Sequence, residues 1–349
     1  MVVDARLARR RTTGVATYIN GLRAAFGRSA RGDCVHFAFG PPGLPRRNRL
    51  TRVANLALDL AWLHVGVPLV AWRRRAAVIH APVNWLPWWA PCRTVVTVQD
   101  VAWERVPESY PRFFRAYARL FARRSVARAN VVMTTSRSTA DDLVELYGVS
   151  RERIRIAPIG VERDPDPPRE REPVVLHVGE FEPRKRVLEL IAGHRRYFRD
   201  APADPPPCTL VLAGAGGSQH EAVRAAAGPE CELLGFVSEQ ELRELYRKAT
   251  LLILASNYEG FGLPVAEALA HGCPVMVAAN SSLIEVAGES ALVIADPGPD
   301  GICAALSEAL GNRRELAERG RAGWQDVGRR LSWRTAARLT DDAYQEAMA

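Results

Sequence analysis

The stretch 251–272, LLILASNYEGFGLPVAEALAHG, constrains the fold of this chain more than any other. Residues 251–255 are a short, continuously apolar run of the kind buried on both faces of a parallel sheet. Pro264 stands where a helix can begin, because its missing N–H costs nothing at the first helical position. The pattern predicts a helix over 265–271, with Gly272 as its stop. Between strand and helix lie Glu259, Gly260, Phe261, Gly262 and Leu263, where two glycines let the backbone turn tightly and turn its N–H groups toward a bound group. Such a loop can cradle phosphate or sugar oxygens. Glu259 falls in the loop and Glu267 in the first turn of the predicted helix, so a ligand across that helix end could meet both carboxylates. A carboxylate accepts from two hydroxyls at once, which suits a sugar diol. On pattern alone a plainer reading stands beside this one, with Glu267 favoured by the helix dipole and Glu259 a solvated loop residue.

Ser256 and the run 259–267 (EGFGLPVAE), followed by Gly272, Pro274, Ser281, Ser282 and Glu285, closely resemble the signature of the group 1 glycosyltransferases, glycosyltransferase family 4. The resemblance implies that Glu259 contacts a donor sugar and Glu267 the ribose of its nucleotide. It also implies that Ser256 and the backbone of Gly260, Phe261, Gly262 and Leu263 complete the donor site around sugar and diphosphate.

A length of 349 residues suits two domains of roughly 150 residues each. The formal charge of +8 might suggest nucleic acid, yet only Lys185 and Lys248 are lysines. An arginine-for-lysine bias with abundant alanine reads as GC-rich coding, and no nucleic-acid partner is expected. The clusters Arg9, Arg10, Arg11 and Arg46, Arg47, Arg49 are either solvated loop arginines or a peripheral contact with acidic lipid headgroups, worth about 1 kcal/mol per basic residue. Six cysteines are scattered singly with no C-x-x-C pair, which argues against zinc and against a disulfide framework. Cys34, Cys231 and Cys273 read as small hydrophobes in apolar strands. The opening Met1-Val2-Val3 runs directly into Asp4 and arginines without an apolar leader, so the expectation is a cytoplasmic protein, at most peripheral at the inner face of a membrane. One stretch, 53–72, resembles a membrane span. Asp59, His64, Gly66 and Pro68 interrupt it, and a central Asp costs about 2.5 to 3.5 kcal/mol. A buried or amphipathic helix is predicted there.

A strand at 1–4 and a helix over 15–26 open the chain. Gly14, Val15 and Tyr18 (TGVATY) resemble the family's N-terminal glycine loop, which closes over the donor diphosphate. Strands are predicted at 35–39 and 77–80. The loop 81–91 then carries Asn84, Trp85, Trp88 and Trp89, either a stacking platform for a sugar ring or loop core. The family places acceptor-facing residues here, which assigns Asn84 and Trp85 to sugar positioning. A strand at 95–98 ends in Gln99 and Asp100, where relatives carry histidine followed by aspartate. Gln99 cannot act as a base but can hydrogen bond to a sugar hydroxyl or a backbone carbonyl; Asp100 joins the candidate catalytic residues. Helices at 111–128 and 138–147 and strands at 130–135 and 153–159 complete a first domain over 1–163, with Ser136 and its neighbours as helix cap. Residues 164–172 are charged and proline-rich, as a linker is. Their Asp164-Pro165-Asp166 resembles the D-x-D metal motif of the other large glycosyltransferase fold, but it lies in a linker rather than at a strand end, and no metal site is expected.

The second domain, 173–327, restarts with a strand at 174–178 and the motif GEFEPRKR. Arg184 and Lys185 are predicted to open a helix, where their charge is unfavourable unless an anion is bound. The resemblance makes them phosphate ligands and, with Glu259, catalytic candidates; Glu180 departs from the arginine common in relatives. Gly214-Ala215-Gly216-Gly217 is not a dinucleotide fingerprint. Before a helix from 239, the resemblance places the nucleobase against backbone groups around Val237. The last segment, 328–349, is expected to pack back on the first domain. Strands alternating with helices twice over imply an α/β chain of two doubly wound, Rossmann-like domains. In the family these face each other across a cleft, the GT-B fold. The segments VTVQD, TTSRSTADDLVELYGV, RIRIAPIGVE and EPRKR look most like transferases of mannose from GDP-mannose. The expected activity is a retaining, metal-independent hexosyl transfer to a sugar or glycoside, with the nucleotide sugar as co-substrate and no resident cofactor. A UDP-sugar donor and a non-catalytic nucleotide-sugar-binding protein are the alternatives.

Overall fold

The computed structural model describes residues 1–9, 14–29, 31–44, 49–201 and 207–349, with the side chains of residues 49 and 52 also left undescribed. The basic clusters at Arg10, Arg11, Arg46, Arg47 and the Arg49 side chain, and Thr12-Thr13 before Gly14, lie outside the described residues. Arg9 is described, and its guanidinium stacks over Phe39 at 4.9 Å.

The chain divides into two compact units, Met1–Glu104 with Arg112–Gly160 and Trp333–Ala349, and Arg105–Pro111 with Val161–Ser332. The first holds β1 (Val2–Asp4), α1 (Gly14–Gly27), β2 (His36–Ala38), α2 (Arg49–Ala61), α3 (Val67–Arg73), β3 (Val78–Ala81), β4 (Arg93–Val98), most of α4 (Ala102–Arg105), α5 (Arg112–Arg128), β5 (Val131–Thr134), α6 (Arg137–Tyr147) and β6 (Ile154–Ile156). Its six strands form a parallel sheet in the order β2-β1-β3-β4-β5-β6. Strands β3 to β5 are apolar and buried almost throughout, as a sheet covered on both faces requires. Ser136 caps α6 by accepting from the Thr139 amide.

The second unit holds β7 (Glu172–Val178), α7 (Val187–Asp200), β8 (Thr209–Ala213), α8 (His220–Ala226), β9 (Cys231–Gly235), α9 (Glu239–Lys248), β10 (Ala249–Leu254), α10 (Leu263–Ala270), β11 (Val275–Ala278), α11 (Ser281–Ala287), β12 (Leu292–Ile294), α12 (Pro299–Gly311) and α13 (Arg313–Arg330). Its parallel sheet runs β12-β11-β10-β7-β8-β9, the strand order of a dinucleotide-binding fold. Its core interleaves Val175, Leu210, Leu251 and Ile253 of the sheet with Leu190, Ile302 and Leu306 of the helices.

The last helix, α14 (Trp333–Met348), belongs to the first unit. A buried polar chain fastens it there. His80 on β3 meets the Tyr344 hydroxyl at 2.8 Å through Nδ1 and the Thr97 hydroxyl at 2.7 Å through Nε2. Burial holds His80 down to about 3, so the ring is neutral and one nitrogen donates while the other accepts.

Several expectations are corrected. The stretch read as a linker is fastened to the second unit: Asp164 pairs with Arg247, and its carbonyl accepts from Trp324 Nε1 at 2.8 Å. Arg171 donates to the carbonyls of Tyr246, Arg247, Ala249 and His271 at 2.9 to 3.1 Å, satisfying the open C-terminal ends of α9 and α10. Cys34 lies exposed in a 3-10 turn, Gly32–Cys34, not in a strand. Of the buried and amphipathic alternatives for the helix at 53–72, burial is ruled out. The helix runs from α2 through a π-helical turn, Trp62–Gly66, into α3, and only 17% of its most apolar window is covered.

Candidate active site

Strand order in the second unit reverses between β7 and β10, which lie side by side at the middle of the sheet. Loops leaving the carboxyl ends of two such strands part in opposite directions and open a crevice, the usual ligand site of an open α/β sheet. The two loops here carry 179–186 and 255–262.

Arg184 and Lys185 do not open a helix. They occupy a single 3-10 turn, Pro183–Lys185, and α7 begins only at Val187. Arg186 between them adopts a left-handed conformation at φ 54°, which ends the turn. That turn is held against the second loop, since the Asn257 amide donates to the Arg184 carbonyl at 2.7 Å. The packing needs bare backbone at Gly214, where an added Cβ would stand 1.9 Å from the Gly179 carbonyl oxygen. The glycine run after β8 therefore serves close approach of two loops.

The turn brings both cations onto Glu259. Lys185 Nζ pairs with Oε1, and Arg184 Nη1 lies 3.2 Å from Oε2 while also donating to the Tyr258 carbonyl at 3.0 Å. The Lys185 and Glu259 side chains are 9% and 10% exposed. Burial alone would raise the Glu259 carboxyl, but Lys185 and then Arg184 outweigh it and hold it at about 2. Burial likewise lowers the Lys185 ammonium, and Glu259 opposes that shift. Ser281 and Ser282 fix the Glu259 backbone: Ser281 Oγ accepts its amide at 3.0 Å, and Ser282 Oγ donates to its carbonyl at 2.8 Å. Both serines stand in the motif, but nothing in their spacing told that they grip a residue more than twenty positions upstream.

Beyond Glu259, Gly260 and Phe261 are buried, and Gly262 sits at φ 88° as the residue before α10, with Leu263 first in the helix. At the start of α10 Pro264 has no N–H and the Val265 amide donates back to the Gly262 carbonyl at 2.9 Å, which leaves the Leu263 amide as the leading helix donor that an anion or sugar oxygen could take. Ser256, two residues past the end of β10, is fully buried. Glu267 is corrected from first turn to second, and its carboxylate accepts from the Tyr246 hydroxyl at 2.9 Å. Burial lifts it to about 7, with Tyr246 working against the shift. Val237 follows β9, half-buried, on a separate edge of the same sheet end.

In the first unit the structure brings Asn84, Gln99 and Asp100 to the carboxyl ends of β3 and β4. Asn84, at φ 44°, receives the Gln99 amide on Oδ1 at 2.9 Å and donates its own amide to the Thr97 carbonyl. The Gln99 side chain donates to the Pro82 carbonyl at 2.9 Å, and Asp100 Oδ1 accepts the Ala102 amide at 3.0 Å just before α4. Trp85 packs edge-on against Tyr117 at 5.6 Å. Gly14 and Val15 form the first turn of α1, Gly14 exposed.

Comparison with known proteins agrees with this architecture. A family model described as glycosyl transferases group 1 matches residues 160–324, and one described as Glycosyltransferase Family 4 matches 12–165. Among curated proteins, the O-antigen chain mannosyltransferase B of Escherichia coli is 29% identical over 77% of this chain and 74% of its own length. The MMP alpha-(1->4)-mannosyltransferase of Mycolicibacterium hassiacum is 28% identical over 82% of this chain and 67% of its own. Among solved structures, a sucrose-phosphate synthase from Thermosynechococcus elongatus superposes with a TM-score of 0.76 at 18% identity, covering 99% of this chain and 98% of its own, and shares the fold. With the two family models together running from residue 12 to residue 324, the chain belongs to the group 1 glycosyltransferases, glycosyltransferase family 4, and is a glycosyltransferase of the GT-B fold class.

Proposed function

We propose that the chain transfers mannose from GDP-mannose to a sugar or glycoside acceptor, with retention at the anomeric carbon and without a metal ion. One observation carries the reading of the site: Lys185 and Arg184 converge on Glu259 at the reversal point of the second sheet. A nucleoside diphosphate entering there would draw the two cations to its phosphates and release Glu259 to the sugar hydroxyls. The backbone of Gly260 to Leu263 would meet the sugar and diphosphate, Glu267 the ribose, and the backbone near Val237 the base. Charge accumulates on the leaving diphosphate in the transition state, and preorganised cations and amides aimed at it are often the largest catalytic term. Mannose is favoured because relatives aligned over most of the chain bear mannosyltransferase names. The acceptor is assigned to the first unit, at Asn84, Trp85, Gln99 and Asp100.

Incubation with a panel of nucleotide sugars, followed by release of nucleoside diphosphate, tests the assignment. GDP-mannose should turn over fastest, the product should keep the donor's anomeric configuration by NMR, and a chelator should leave the rate unchanged. GDP at about a hundred times its dissociation constant should stabilise the fold by about 2.7 kcal/mol. A melting shift with UDP and none with GDP would refute the guanine assignment, and loss of activity with chelator the metal-free one.

A further inference from the structure

The helical stretch Val53–Arg73 in the first unit is long and apolar enough to cross a membrane, yet little of it is covered by protein. Leu58, Val65, Leu69 and Trp72 recur at helical spacing and are all exposed, Trp72 by 65%. A monomer seldom leaves such a stripe bare without a partner for it.

Charge says which partner. Residues 49–75 contain five arginines and a single acid, the half-buried Asp59. Arg73 and Arg75 border the same hollow as Trp72 and Pro91. The apolar surface continues beyond the helix. Trp88, 54% exposed, packs on His64 of the π-helical turn with ring centroids 4.5 Å apart, and with Leu120 and Arg124 of α5 it lines a second hollow. Helix α5 has six arginines and no acid, and exposes Phe113 and Leu120 among them. A second copy of this chain would bring arginine against arginine. A surface with an apolar interior and anionic headgroups satisfies both halves of the pattern, since exposed leucine and tryptophan enter the acyl boundary while arginines stay at the headgroups.

We infer that the first unit docks on an anionic lipid bilayer, lying in its interface through the 58–72 stripe, Trp88 and the arginine-rich face of α5. The surface is helical, and differs from the loop clusters the sequence pointed to. The inference is independent of donor identity.

The full chain should co-sediment with phosphatidylcholine vesicles containing phosphatidylglycerol, weakly or not at all with phosphatidylcholine alone, and less as salt rises. Leu69→Ser with Trp72→Ser should lower the partition coefficient about tenfold or more, and Arg124→Glu about fivefold or more, with unchanged melting temperature and unchanged donor hydrolysis in solution. Arg124→Glu alters no packed side chain and guards against misfolding of the serine variant. Absence of binding to the anionic vesicles, or binding that neither variant weakens, overturns the inference. So does a dimer in solution that Trp72→Ser dissociates, which would assign the face to a second copy.

Discussion

The pair of Lys185 and Glu259 can be tested as a unit. Holding the Glu259 carboxyl at about 2, against an ordinary 4.5, corresponds to about 3 kcal/mol of net stabilisation of its charged form at 1.36 kcal/mol per pH unit. Lys185→Met leaves that carboxylate buried with Arg184 alone at 3.2 Å, and Glu259→Gln leaves two cations side by side. Each single variant should lose about 2 to 4 kcal/mol in urea unfolding at pH 7, within the range for breaking one side of a buried pair. The double variant should lose less than the sum by about 2 kcal/mol or more, because neither member is left unmatched. The pH dependence follows with a definite sign. A folded-state carboxyl held below its unfolded value contributes stability above pH 4.5 and loses it as pH falls toward about 2; Lys185→Met should flatten that limb. Turnover behaves differently. Both singles should fall roughly 10²-fold or more, and the double should stay as low although its fold recovers. Additive stability losses, or wild-type turnover in either single variant, would refute the arrangement as both ion pair and catalytic group.

Three further outcomes follow from single sites. Glu267 is raised to about 7, so its protonated form favours the fold; stability should drop by up to about 3 kcal/mol as pH rises from 4.5 through 7, and Glu267→Gln should remove that slope and stabilise at pH 8 in denaturant titrations. Gly262→Ala places a side chain at φ 88° with its Cβ 2.7 Å from Leu283, and should cost about 1 to 2 kcal/mol by thermal melting and weaken nucleoside diphosphate binding. Asn84→Ala removes the acceptor of the Gln99 amide, and should slow transfer to acceptor while sparing donor hydrolysis; equal losses in both would show that it only stabilises the fold.

Both sheets were legible because fully buried parallel strands leave short runs of apolar and β-branched residues such as VVTV at 95–98 and LLIL at 251–254. Helices α4 and α8 were not anticipated; four and seven residues are too few to establish a helical period. The contacts that fasten the linker stretch were not legible for another reason. Composition marks 164–172 as solvated, but a lone arginine such as Arg171 shows nothing in sequence of the four carbonyls it will reach. Within the site, Glu259, Lys185 and Arg184 were legible by motif, whereas their mutual pairing depends on a 3-10 turn that Arg186 ends in a conformation few side chains adopt.

The two units commit their candidate residues differently. In the first, Asn84, Gln99 and Asp100 each have a hydrogen bond with nearby backbone, so their positions are set by the chain itself. An amide at Gln99 serves there because donating to the Pro82 carbonyl requires an N–H and not a titrating ring. In the second, Glu259, Lys185 and Arg184 hold one another through side-chain charge. Removing these groups from water has its free-energy cost in folding, so in the proposed reaction an incoming diphosphate would exchange one anion for another in a site already aligned. In the proposed reaction that exchange relies on the two cations already held at Glu259. It also places the main dependence of turnover on three side chains of the second unit, while changes at Gln99 should alter which acceptor is used more than whether the donor is cleaved.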